Sequence, residues 1–247
     1  RLIFGNGTLD GVTVNGDLDL STVNAANATI LNGLVLNGTA FLGNQSNTTA
    51  YGYLTFSGSQ ALSGSGQVVF GRHQCNSVRI ATAGTTLTNR ITLHGHSGQI
   101  GYAPSCIGGS ATVTLVNEGT IAADVSGGTF NARGQPVLNV GSMQTANGGS
   151  LFIDRLQNNG TVEATGGTLT LDGSWNNAGA ITASNATVNL DGTFTPTTLG
   201  VFNRSGGTVN LTGVFDAGGA IVTLDAATGP WVMNGGTLRN AILTLLD

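Results

Sequence analysis

Thr168-Leu-Thr-Leu-Asp-Gly-Ser-Trp175, Thr187-Val-Asn-Leu-Asp-Gly-Thr-Phe194 and Thr208-Val-Asn-Leu-Thr-Gly-Val-Phe215 are three versions of one phrase, their starts 19 and then 21 residues apart. Side chains on a strand point alternately to either side, so the alternation inside each phrase reads as a short strand with one apolar face. Recurrence near twenty residues, with a glycine turn after each strand, is the pattern of a coiled β-solenoid. Leu169 and Leu171 are predicted to enter the interior, with Val188 and Leu190 of the next coil over them and Thr170 and Asn189 outside. Trp175, Phe194 and Phe215 hold equivalent places and are predicted to form an aromatic packing ladder rather than a ligand platform.

The phrase extends upstream. Ser150-Leu-Phe-Ile-Asp154 has the same alternation, and a second motif precedes the coil starts: Asn117-Glu-Gly-Thr-Ile aligns with Asn158-Asn-Gly-Thr-Val. Toward the N-terminus, Val12-Thr-Val-Asn-Gly16, Leu34-Val-Leu-Asn-Gly38 and Tyr53-Leu-Thr-Phe-Ser-Gly58 keep strand-then-turn order with looser spacing. Dividing 247 residues by the period predicts about twelve coils of about twenty residues, in one elongated all-β domain over 1–247. No segment has helical periodicity, and no apolar run is long enough for a transmembrane helix.

Composition narrows the partners. Charged residues make up 8% of the chain, against roughly 25% in ordinary domains. All eight basic residues are Arg, and the net charge is −4, so there is no basic stripe for nucleic acid or an anionic membrane. Exposed positions are instead Asn, Thr, Ser and Asp, which suit solvation, lateral contact between rods, or carbohydrate.

Chemistry-bearing residues are few. Cys75 and Cys106 flank the least repetitive part of the chain, read as an irregular loop insertion around 72–109. A disulfide between them would tie that loop to the solenoid in an oxidising compartment. His73 and His94 are 21 residues apart, as are Cys75 and His96, so one coil step could gather the four as metal ligands. Ordinary surface histidines are the favoured reading, and no metal or other cofactor is expected. Asp154, Asp172 and Asp191 recur at the turn, where a carboxylate caps the backbone and glycine follows; an acid and base for glycoside cleavage is the disfavoured alternative. Tyr51 and Tyr53 project to one side if extended and could stack on a sugar, although a packing role is favoured. An ice-binding Thr-x-Thr ladder begins at Thr168 and Thr170 but is broken by Asn189 and Asn210.

The Asn-x-Gly-Thr-[Ile/Val] and Gly-Gly-Thr-[Leu/Val]-x-Leu motifs at 117–129, 158–171 and 206–211 resemble the repeats of bacterial secreted surface proteins of the filamentous-haemagglutinin and autotransporter-passenger type. That resemblance implies a right-handed parallel β-helix, export to the bacterial cell surface and an adhesive or structural role; it transfers no catalytic residue. Arg1-Leu-Ile-Phe-Gly5 opens directly in strand-like sequence, which predicts a mature product or an excised fragment.

The expected function is therefore a non-enzymatic extracellular fibre, matrix or stalk, with polysaccharide binding or degradation as the alternative. Solenoids need their end coils covered. Leu2, Ile3 and Phe4 at one end and Ile242, Leu243, Leu245 and Leu246 at the other are predicted association surfaces, for copies of the same protein or neighbouring segments of a longer chain.

Overall fold

Each pass of the chain around its axis lays down up to three short strands, and every pairing between named strands is parallel. The computed structural model describes residues 1–225 and 228–246, a β-solenoid of about eleven turns. A first face carries ten strands, from Leu2–Ile3 through Leu18–Leu20 to Val201–Ser205. A second face runs from Asn6–Val14 through Thr168–Asp172 to Trp231–Met233, and a third includes Thr86–Asn89, Thr114–Asn117, Val137–Asn139 and Leu156–Asn158.

The repeated phrase lies on the second face in the expected register. Leu169 pairs with Val188 and Val188 with Val209, while Leu171, Leu190 and Leu211 form the adjoining column, all fully or almost fully buried. Coil length is less uniform than the phrase suggests. Following first-face partners from Leu18 through Ala40, Val68, Leu93, Ile121, Met143, Val162, Ile181 and Phe202, successive steps are 22, 28, 25, 28, 22, 19, 19 and 21 residues. The longer middle coils keep their strands in register and place the surplus in the connections between faces. The chain therefore completes about eleven turns rather than twelve.

The Asn-x-Gly-Thr motif has two structural causes. Asn89, Asn117, Asn139, Asn158 and Asn177 close third-face strands with their side chains turned inward, each 0–3% exposed. Each amide donates to the next: Asn89 to Asn117 at 2.9 Å, Asn117 to Asn139 at 2.9 Å, Asn139 to Asn158 at 2.8 Å and Asn158 to Asn177 at 2.7 Å. Further donation to backbone carbonyls, as from Asn139 to Thr161 and from Asn158 to Ala180, satisfies polar groups whose burial would otherwise cost about 1–3 kcal/mol each. Glycine follows because coils approach most closely there. A Cβ on Gly141, Gly160 or Gly179 would strike the carbonyl of Gly119, Gly141 or Gly160 respectively.

The ladder ends at a one-turn helix, Pro196–Leu199, absent from the sequence reading. Asn177 donates to the Leu199 and Val201 carbonyls. Thr195 caps this turn by accepting from the Thr198 backbone N–H, while Pro196 supplies the preset first helical φ. Four residues are too few to show a 3.6-residue period, so only the Thr-Pro-Thr-Thr signature was there to find.

The segment 72–109 is not a single irregular insertion. Ser77–Ile80, Thr86–Asn89, Thr92–Gly95 and Gly98–Gly101 are regular solenoid strands within it. Its phrase is obscured by polar outward residues and by glycines that serve packing. A Cβ on Gly98 would land on the ring of Phe70, which itself lies 4.8 Å from the ring of Phe130. The true excursion is 102–113, between the strands Gly98–Gly101 and Thr114–Asn117.

Candidate functional site

Cys75 and Cys106 form a disulfide with their Cα atoms 5.3 Å apart. It holds the 102–113 excursion over the second face. An antiparallel bridge joins Ala103 to Gly108, the Arg79 guanidinium donates to the Ile107 carbonyl at 2.6 Å, and the Gln99 amide donates to the Cys106 Sγ. Ser77 and Gln99 share an outward column with Tyr53 and Asn131, yet the excursion leaves them 0% and 4% exposed. An outer surface of the solenoid is thus roofed and pinned by one covalent link.

The three histidines are not brought together with Cys75. His94 lies opposite Val69, a step of 25 residues rather than 21, so His73 is not beneath it. The His94 Nδ1 instead meets the Asp124 carboxylate at 3.2 Å, and the Asp124 Oδ1 also accepts from the Gly95 N–H. His96 Nε2 lies 3.2 Å from the Arg72 guanidinium. His73 accepts from the Cys75 N–H at its Nδ1 and packs against Tyr51, ring centroids 5.0 Å apart. Cys75 is committed to its disulfide, and among the described residues no group of three or more His, Cys, Asp or Glu is placed to hold a metal ion.

The aspartate and aromatic columns are occupied by packing and turn contacts. Asp172 and Asp191 each accept the N–H of the following glycine, and Asp154 pairs with Arg155 at 2.9 Å. Burial raises the Asp154 carboxyl above its usual range; Arg155 opposes the rise, Asp172 adds to it and Arg133 opposes it. Trp175, Phe194 and Phe215 stack with centroids 4.8 Å apart at both steps and are 1–3% exposed. Trp175 also donates its indole N–H to the Asp191 carbonyl, which joins the two columns. Tyr51 and Tyr53 stack on each other outside the coil, centroids 6.1 Å apart.

At the end coils, apolar side chains are left exposed where no further coil covers them. Leu2 and Ile3 are 52% and 58% exposed, and Ile242, Leu243, Leu245 and Leu246 range from 46% to 65%. Val232 and Met233 extend the second of these patches. Phe4 does not belong to the first: it is buried in the core with its ring against Gly7, because the alternation Leu2-Ile3-Phe4 sends it inward. A cleft of about 550 Å³ opens beside the last coil, lined by Leu224, Trp231, Leu245 and Leu246 among others.

No protein-family model, curated protein or solved structure matches the chain. No helix among the described residues is long and apolar enough to cross a membrane. Sequence reasoning missed the buried asparagine ladder, although Asn117 and Asn158, two of its members, each begin an Asn-x-Gly-Thr motif. It also missed the meeting of Arg72 with His96, for which no local signal exists, because the contact depends on the length of a whole coil.

Proposed function

We propose that this chain is a non-enzymatic structural segment of an extracellular fibre, matrix or stalk, joined to further β-solenoid coils through its end faces. The observation that carries this reading is the last described coil. Trp231–Met233, Thr237–Arg239 and Ile242–Leu245 each have a sheet neighbour on one side only, and Ile242, Leu245 and Met233 are all more than half exposed. A free parallel edge flanked by apolar side chains is a template for another strand. Leu2–Ile3 and Asn6–Val14 offer the complementary edge, also paired on one side only. A head-to-tail contact between copies that does not close on itself propagates as a filament, and neighbouring coils of a longer chain would cover the same edges. The disulfide is compatible with an oxidising exterior. The motif resemblance to secreted bacterial surface repeats points to the same setting.

Sedimentation velocity over a concentration series, with electron microscopy of the same samples, tests this. Association into end-to-end species is expected, and the double variant Ile242→Asp/Leu245→Asp should suppress it. A protein that stays monomeric at millimolar concentration, with both end coils well protected in hydrogen exchange, would show that these edges need no neighbour.

A further inference from the structure

The geometry points to a binding site for an anion-bearing sugar residue, one carrying a uronate carboxylate or a sulfate ester, in the groove between Arg72, His73, Gln74, His96 and Thr129. This does not rest on the fibre reading. The groove has a volume of about 460 Å³, within the range of small-ligand sites, and no acidic side chain is among the residues lining it.

Its donors are oriented by bonds behind them. Arg72 is exposed and spends one N–H on the His96 Nε2, which leaves the rest of its guanidinium fork for a ligand. That contact puts the proton of neutral His96 on Nδ1, 2.8 Å from the Ser97 Oγ. Burial, and then the neighbouring Arg72 charge, lower the His96 pKa, so Arg72 is the cation at neutral pH. The Ser97 Oγ is itself fixed by the Thr129 N–H at 3.2 Å. His73 accepts from the Cys75 backbone at Nδ1, so its neutral ring carries the proton on Nε2, and Tyr51 holds the ring from one side.

A single guanidinium beside hydroxyls, the Gln74 amide and the His73 Nε2–H matches one carboxylate or sulfate on a polyhydroxylated ring. A phosphorylated or acidic peptide would call for several cations together. The net charge of −4 gives no long-range attraction for a dense polyanion. Isolated anionic groups on an otherwise hydroxyl-rich chain remain.

Trigalacturonate, its neutral methyl ester, a sulfated carrageenan disaccharide that carries no uronate, and inorganic sulfate, titrated in turn, test the site by calorimetry and by NMR of the histidine side chains. At least one anionic saccharide is expected to shift the His73 and His96 ring signals and to bind about tenfold or more tightly than the neutral ester. Comparing the first and third probes identifies whether uronate or sulfate is preferred. Arg72→Gln, an exposed change, should weaken binding by about tenfold with the circular dichroism unchanged. His73→Phe, which keeps a ring against Tyr51, should weaken it independently should Arg72→Gln disturb the fold. The site is refuted by the absence of ring shifts with every saccharide, by unaltered affinity in both variants, or by inorganic sulfate binding as tightly as the saccharides.

Discussion

Asn139 shows what one buried side chain does here. It donates to Asn158 and to the Thr161 carbonyl and accepts from Asn117, so Asn139→Ala removes three bonds and leaves partners unpaired in the interior. The expected cost is about 2–4 kcal/mol, read as a lower denaturation midpoint and faster hydrogen exchange in the coils on either side. Asp19, buried in the first coils, makes a comparable case. Burial raises its pKa, but the Ser21 and Thr22 hydroxyls, the Ser21 N–H and Arg1 outweigh that and hold the carboxyl well below its usual range. A depressed carboxylate pKa contributes stability that is fully present above the unfolded value near 3.8 and is lost as pH falls toward the folded one. Protection of Leu18–Leu20 should therefore be constant from neutral pH down to about 4 and then decline, whereas Asp19→Asn should flatten the profile. An unchanged decline in Asp19→Asn would assign the effect to other carboxylates. These two residues differ in legibility. The Asn position was visible as a recurring letter, but its inward direction followed only from the coil closing around it.

Among the elements, the 102–113 excursion depends most on a single link. Its loop spans 31 residues between Cys75 and Cys106, and cross-links of such length stabilise by about 2–4 kcal/mol. Cys75→Ser/Cys106→Ser should raise exchange across 102–113 and uncover Gln99, while the strands Thr86–Asn89 and Thr114–Asn117 stay protected by their own parallel ladder. Equal loss of protection in those strands would mean that the excursion supports the coil rather than merely covering it. The short helix supports a smaller test: Thr195→Ala removes its cap and should cost about 1 kcal/mol, with the effect seen at Asn177, whose amide relies on the Leu199 carbonyl. The strand phrases at 168, 187 and 208 were legible because alternation and spacing are local properties. The excursion was only approximately placed, since polar outward residues such as Gln99 look like loop residues until something is seen to cover them.

For the whole molecule, coils contact chiefly their neighbours, so stability is distributed along the axis and unfolding need not be all-or-none. A calorimetric enthalpy exceeding the van't Hoff value is expected, with the coils around Leu224 and Ile242–Leu245 melting first, because their side chains are the least buried. Alternation, the twenty-residue beat and the paucity of charge were determined by the sequence alone, because each is a local or compositional property, and the aromatic stack was legible where the beat is regular. The tertiary structure decided which residues meet across coils. His96 meets Arg72 beside His73 while His94 goes to Asp124, and Phe4 turns inward while Ile3 does not. Such meetings depend on inter-coil steps of 19 to 28 residues, which sum every connection in a turn. The strands keep their register whatever the connections hold, so the number of residues between stacked partners is fixed only once the coil has closed.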